Sequence, residues 1–169
     1  MNYLILTFAL MTTVNSTAQN SHASTTKEKF SQETSVSITI DSDASIIWAL
    51  LTNGDDITRW NSTLTYFEGI IENGEKIKLK SYLDEKRVFK LKVKAFEPEK
   101  RMVWADGKGS RVFTITKNDN GSSTFTMTEK IGGLMYPMYA KYLPNFDESF
   151  ERFASDLKKE AELISNAKN

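Results

Sequence analysis

The sequence has no cysteine, a single histidine and no excess of either charge, since 22 basic side chains balance 22 acidic ones over 169 residues. The absence of cysteine excludes disulfides, thiolate metal sites and cysteine nucleophiles. One histidine, His22, is too few for most imidazole catalysis and most transition-metal sites, so we expect no metal and no cofactor. A net charge of zero argues against nucleic acid as a partner, because binding to phosphates needs a basic excess.

The remaining composition is typical of a globular domain. Forty per cent of the residues are hydrophobic and 11% are aromatic. The length fits one domain with a short extension. Any chemistry must therefore use carboxylates, tyrosine, lysine, arginine, serine or threonine.

The N-terminal end of the chain has the pattern of an export signal. Residues Met1–Ala18 carry no charged side chain, and Tyr3–Met11 is an apolar run too short to cross a bilayer. Ser16 and Ala18 supply small residues at the −3 and −1 positions of a cleavage site. We predict a Sec-type signal peptide over 1–18, export to the periplasm or medium, and a flexible polar linker over 19–33. The alternative is a buried N-terminal strand or helix.

Alternating polar and apolar residues predict seven strands in the body of the chain. Ser35–Ile40 is the first of them, and two short helices over 46–51 and 55–60 follow it. Turn residues then separate consecutive strands, a pattern that indicates hairpins and an antiparallel sheet. The six further strands are predicted over 64–70, 75–83, 87–97, 101–106, 110–117 and 122–130.

The C-terminal end of the chain changes to a helical period. Pro144 and Asn145 open the helix, and Asn145 with Glu148 matches a capping box. The apolar stripe of this helix needs a covering surface, for which the concave face of the sheet is the only candidate. We therefore predict an α+β fold over 34–169, a curved antiparallel sheet of about seven strands around a long C-terminal helix. The stripe comprises Phe146, Phe150, Phe153, Leu157, Ala161 and Ile164.

Several motifs add to this order of elements. Trp48, the pair Trp60-Asn61 and Pro98-x-x-Arg101-x-x-Trp104 occur in turn, followed by the short segments 109–113 and 128–133. In these features the chain, over 35–165, resembles the SRPBCC superfamily of START-like or helix-grip proteins, in particular its polyketide cyclase/dehydrase-like branch. The resemblance implies a helix-grip fold with a deep apolar pocket. Some relatives carry histidine in the element that matches 109–113, where this chain has Arg111.

Strand parity predicts which side chains face the long helix. A three-residue loop over 84–86 would pair Leu79 with Leu91 and bring the apolar faces of both strands together. Such a face forms either a solid core or the wall of a ligand cavity. We predict that the ligand-lining residues are Trp60, Leu79, Phe89, Leu91, Trp104, Phe113, Phe125, Met127, Tyr139, Phe146, Phe150 and Phe153.

Two carboxylates are the candidates for chemistry. Asp106 and Glu129 share the apolar parity of their strands, and a desolvated carboxylate can serve as a general acid or base. Tyr136 could supply a hydroxyl at the mouth. The alternative places both carboxylates at strand ends in water. We expect a monomeric binder or carrier of a small hydrophobic molecule, a lipid or a polyketide-like compound; the alternatives are a cyclase, dehydratase or hydrolase-like enzyme and a protein-interaction module.

The outer face of the hairpin formed by the predicted strands 75–83 and 87–97 is rich in lysine. The predicted register sets Lys80, Lys78 and Lys76 opposite three lysines of the next strand. Either this face contacts an anionic surface or it is a solvated face that protects the sheet from aggregation. The six residues are Lys76, Lys78, Lys80, Lys90, Lys92 and Lys94.

Overall fold

The structure, a computed structural model, describes residues 21–167, so the predicted signal peptide lies outside the described residues. Within residues 21–167, eight strands and four helices follow one another in the order β-β-α-α-β-β-β-β-β-β-α-α. The strands are β1 (Ser24–Lys27), β2 (Ser31–Ile40), β3 (Leu64–Glu68), β4 (Lys76–Ser81), β5 (Asp84–Glu97), β6 (Arg101–Ala105), β7 (Gly109–Lys117) and β8 (Ser123–Gly132). The helices are α1 (Ala44–Thr52), α2 (Ile57–Trp60), α3 (Tyr136–Tyr139) and α4 (Asp147–Ala167), with one 3₁₀ turn at Ala140–Tyr142.

All eight strands form one antiparallel sheet in the order β1-β2-β8-β7-β6-β5-β4-β3. Helix α4 lies across this sheet and packs mainly against β2 and α1. Its buried side chains, Phe150, Phe153, Ala154, Leu157 and Ala161, are at most 1% exposed. The predicted α+β architecture is confirmed, and no helix within 21–167 is long and apolar enough to cross a membrane.

The eighth strand comes from the segment predicted as a polar linker. Ser24–Lys27 forms β1 and pairs with β2, which begins at Ser31 rather than Ser35. The Thr25 hydroxyl hydrogen-bonds to the Thr34 hydroxyl (2.7 Å) and to the Asp147 carboxylate (2.5 Å). The linker prediction over 19–33 is therefore wrong in its described part. Hydrophobic alternation does not reveal β1, because backbone pairing and polar contacts hold it at the sheet edge.

The start of α4 differs from a full capping box. The Asn145 Oδ1 accepts the backbone N–H of Asp147 at 2.9 Å, as expected of a capping side chain. Glu148, however, accepts a hydrogen bond from Arg152 at 2.9 Å instead of turning back to the Asn145 N–H. Only half of the predicted box forms, and the helix begins at Asp147.

The β4–β5 hairpin has a different register from the predicted one. Its turn is the two residues between Ser81 and Asp84, which pair with each other, and a bulge in β5 then sets Leu79 opposite Phe89. The predicted partner of Leu79 was Leu91, so the strands are shifted by two residues. A shift of two preserves parity, because side chains alternate with period two. Leu79 and Ile77 consequently remain on the inner face, as predicted, and are at most 5% exposed.

A second bulge interrupts β5 near its end. The register with β6 shifts between Lys94 and Glu97, and Ala95 adopts a positive φ of 49°. Ala95 is exposed, although strand parity places it on the inner face. Phe96 turns inward instead, and its ring lies 5.0 Å from that of Trp48. The bulge thereby closes one end of the core with an aromatic pair.

Candidate functional site

A cavity of about 460 Å³ lies between the sheet and the N-terminal end of α4. Its apolar wall on the sheet comprises Leu79, Phe89, Leu91 and Trp104. The segment before α4 closes the opposite side with Tyr139, Tyr142, Leu143, Pro144 and Phe146. The cavity is therefore the part of the hollow sheet that the helix does not fill.

The twelve side chains predicted to line this cavity divide into two sets. Leu79, Phe89, Leu91, Trp104, Tyr139 and Phe146 line it. The other six are packed in the core, each at most 7% exposed, and do not reach the cavity. They are Trp60, Phe113, Phe125, Met127, Phe150 and Phe153.

The core set fails to line the cavity because α4 fills its part of the sheet. The Phe153 ring of α4 stacks on Phe125 with centroids 6.2 Å apart and meets Trp60 edge-on at 5.8 Å. Phe113 lies between these rings and Trp104, whose centroid is 4.7 Å away. Aromatic contacts of this kind stabilise a packed interior. Trp104 marks the boundary at which this core ends and the cavity begins.

An ion pair is the main polar feature of the cavity wall. Arg111 of β7 and Glu129 of β8 are direct partners in the sheet, and the Arg111 Nε donates to the Glu129 Oε2 at 2.7 Å. Arg111 Nη2 donates to the same oxygen, and the guanidinium lies 5.3 Å from the centre of the Phe150 ring. The side chains are only 22% and 19% exposed. Glu129 is thus largely buried, as one of the two predicted alternatives has it, but it is paired with Arg111.

The other two candidates for chemistry have structural roles. Asp106 is exposed, and its Oδ1 accepts the backbone N–H groups of Lys108 (2.7 Å) and Gly109 (2.9 Å), which fixes the β6–β7 turn. Tyr136 is 4% exposed and donates its hydroxyl to the Gln32 Oε1 at 3.2 Å. Asp106 stands at the water-facing rim, and Tyr136 does not line the cavity. Asp106 thus matches the alternative of a strand-end carboxylate in water, and the Tyr136 hydroxyl does not lie at the mouth.

The rim of the cavity carries charged and aromatic side chains. Asp84, Arg87, Lys108 and Tyr142 are exposed where they line it. The Arg87 guanidinium lies 4.6 Å from the centre of the Phe89 ring, and the Lys108 ammonium lies 5.7 Å from that of Tyr139. The opening therefore places cations against aromatic faces.

Comparison with known proteins identifies the architecture. No protein-family model matches the chain, and no curated protein matches it. A START superfamily protein from Mycobacterium smegmatis superposes with a TM-score of 0.59 at 15% identity, covering 78% of this chain and 98% of that one. The chain has the START-like helix-grip fold. A conserved protein of unknown function from Enterococcus faecalis also superposes, with a TM-score of 0.62 at 13% identity, covering 84% of this chain and 78% of that one. A protein from Staphylococcus saprophyticus superposes with a TM-score of 0.58 at 15% identity, covering 75% of this chain and 88% of that one.

Several residues that line the cavity are not among the twelve predicted ones. Arg111 is the most informative, because it shares strand parity with Phe113 and Ile115, whose inward direction is predicted. Because Arg111 is charged, it was not assigned to the inner face of the sheet. Glu129 on the neighbouring predicted strand was nevertheless available as its ion-pair partner. Arg87, Leu143 and Ile131 also line the cavity. Arg87 shares the parity of Phe89 and Leu91 on the predicted strand, whereas Leu143 belongs to a loop, where parity gives no direction.

The lysines of the predicted outer face do lie on one face of β4 and β5. Lys78 is opposite Lys90 and Lys76 is opposite Lys92, while Lys80 pairs with Tyr66 and Lys94 with Val103. The predicted Lys–Lys pairs are thus wrong by two residues. Lys78 donates to Glu68 at 2.7 Å, a hydrogen bond that raises the pKa of Lys78 and lowers that of Glu68.

Within residues 21–167, no three His, Asp or Glu side chains are grouped to hold a metal ion.

Proposed function

We propose that the protein binds a small, mainly hydrophobic molecule that carries one polar group. The observation that carries this proposal is a mostly apolar cavity of about 460 Å³ with a single ion pair in its wall. Ligand sites are commonly concave and apolar with a few fixed polar groups, at roughly 300–1,000 Å³. The START-like fold, which leaves a hollow between sheet and helix, supports the same function.

The apolar part of such a ligand would lie against Leu79, Leu91 and Trp104. Removing about 300 Å² of ligand surface from water there is worth about 7 kcal/mol before the cost of immobilising the ligand. The polar group would lie at Arg111 and Glu129. Both Arg111 hydrogen bonds go to Oε2, so within the described residues Oε1 of Glu129 makes no hydrogen bond. A hydroxyl or amide could donate to that oxygen and accept from the guanidinium edge.

Binding is better supported than the cyclase, dehydratase or hydrolase alternative. An acid or base must be free to exchange a proton with the substrate. Asp106 is engaged with the β6–β7 turn, and one oxygen of Glu129 is already engaged with Arg111, so each candidate carboxylate has a structural partner. The protein-interaction alternative does not account for an internal cavity.

A cavity-filling variant tests the proposal. Leu91→Trp would fill the cavity, whereas Val88→Trp would add the same ring at an exposed position of the same strand. We expect native mass spectrometry of protein from its own host to show a retained small molecule, lost only in Leu91→Trp. Titration with anilinonaphthalenesulfonate should show the same difference. Equal probe binding by both variants would contradict the proposal.

A further inference from the structure

Beside the cavity lies an exposed apolar patch. In the turn-rich segment between β8 and α4, Leu134 is 88% exposed, Met135 60%, Met138 66% and Tyr142 75%. The last three are spaced by three and four residues across α3 and the 3₁₀ turn, which places them on one side. Phe30, 45% exposed, adjoins them, because its carbonyl accepts the Gly133 N–H at 3.0 Å. We call these five residues the mouth patch.

The mouth patch concentrates apolar surface that is scattered elsewhere. Only four other large hydrophobic side chains of the described residues are exposed, and they lie on β3, β5, α4 and a loop. Large apolar side chains clustered in water usually mark a surface that another apolar phase covers. Their position is informative, since Tyr142, a member of the patch, also lines the cavity. The patch is therefore continuous with the opening.

Positive charges predominate in the segment that carries most of the mouth patch. The segment 130–146 contains Lys130 and Lys141 and no acidic residue. Lys108 lies over the Tyr139 ring, and Lys29 lies 5.3 Å from the centre of the Phe30 ring. Among the acids near the region, Asp106 accepts backbone N–H groups, Asp147 accepts the Thr25 hydroxyl and Glu28 accepts the Ser31 hydroxyl. Asp84 is exposed at the cavity rim and is flanked there by Arg87 and Lys108. Apolar side chains ringed by lysines match the chemistry of an anionic lipid surface.

We propose that the mouth patch docks the protein on an anionic phospholipid bilayer, with Leu134, Met135 and Met138 inserted among the lipids. The surrounding lysines contact the headgroups, each strengthening partition by about fivefold. In this orientation the cavity opens toward lipid. The docking itself does not depend on the proposed ligand, although a hydrophobic ligand could then pass between bilayer and cavity without crossing water.

The test is co-sedimentation with vesicles at low salt. Wild-type protein should bind vesicles of phosphatidylcholine with phosphatidylglycerol, and binding should fall at high salt and on phosphatidylcholine alone. Leu134→Ser/Met138→Ser should reduce partition at least tenfold, because both exposed side chains would otherwise insert. The matched control is Ile70→Ser, since Ile70 is 66% exposed in the loop after edge strand β3. It should bind like wild type.

Three results would overturn the proposal. The first is wild-type protein that does not sediment with either vesicle. The second is an unchanged Leu134→Ser/Met138→Ser variant alongside loss of binding in Lys78→Glu/Lys92→Glu, which would assign docking to the lysine face. The third is a wild-type dimer in solution that this patch variant converts to a monomer, since a second copy would then cover the patch. Because no arm uses a ligand, failure here leaves the anilinonaphthalenesulfonate titration as an independent test of the proposed function.

Discussion

Removing one partner of the Arg111–Glu129 pair should destabilise the fold measurably. In Arg111→Met the aliphatic part of the side chain still packs on Phe150, but Glu129 keeps its charge at 19% exposure without a partner. A fully buried pair broken in this way costs about 3–5 kcal/mol, and a surface pair about 0–1 kcal/mol. With about four fifths of both side chains buried, we expect a loss of about 2 kcal/mol in the free energy of unfolding.

The double variant separates the pair from its surroundings. Arg111→Met/Glu129→Met removes both charges, so its loss should be smaller than that of Arg111→Met alone, at about 1 kcal/mol or less. The matched control is Lys117→Met. Lys117 lies on the same strand as Arg111, but its ion pair with Glu99 is exposed, so its loss should leave stability unchanged.

Urea unfolding measures these differences, with the midpoint falling at an unchanged m-value. A loss of 2 kcal/mol corresponds to a melting temperature lower by about 4–8 °C for a domain of this size. The coupling inferred from the geometry would be refuted if the losses in Arg111→Met and Glu129→Met added up to the loss in the double variant, or if Arg111→Met lost no stability.

Four further predictions follow from other parts of the molecule. Phe153→Ala should cost about 3–5 kcal/mol in urea unfolding, because this ring is 1% exposed and stacked on Phe125; a loss below about 1 kcal/mol would mean that the hollow can collapse around it. Asp106→Ala should lower the free energy of unfolding by about 1 kcal/mol, because it loses the hydrogen bonds of the β6–β7 turn, and should leave the affinity for anilinonaphthalenesulfonate unchanged. A lower affinity would mean that Asp106 takes part in ligand binding. The charge reversal Lys78→Glu/Lys92→Glu should leave the salt-dependent vesicle affinity unaltered, because the mouth patch lies elsewhere; a reduced affinity would instead support the predicted anionic contact of the outer face. Protein recovered outside the cytoplasm should begin at Gln19 on N-terminal sequencing, and retention of Met1 would contradict the predicted signal peptide.

Strand parity explains why so much of the fold was predictable. The apolar alternation in β4 and β5 placed Ile77 and Leu79 on the inner face even though the predicted loop was wrong, since the observed register differs from the predicted one by two residues. Strand β1 was not predictable in this way, because Ser24–Lys27 is polar throughout and belongs to an edge. Its hydrogen bond to Asp147 depends on a residue 122 positions away in sequence.

The candidate site was predictable only in part, for a different reason. Parity indicates that Phe113 and Phe125 face the helix, but it does not indicate where along the sheet the helix fills the hollow. The position of Phe153 decides that, and it leaves Leu79 and Leu91 beside open space while Phe125 is covered. Cavity location thus depends on the placement of α4 in three dimensions, which no local pattern encodes.

Methyl NMR of the protein titrated with anilinonaphthalenesulfonate shows directly whether a hydrophobic molecule enters the cavity beside α4. The methyl resonances of Leu79, Leu91 and Ile131, which line the cavity, should shift and saturate together. Those of Ile38 and Ile40 in the packed core on β2 should stay in place. Shifts confined to exposed residues such as Leu163, or no shifts at the cavity wall, would contradict binding of a hydrophobic molecule in the cavity.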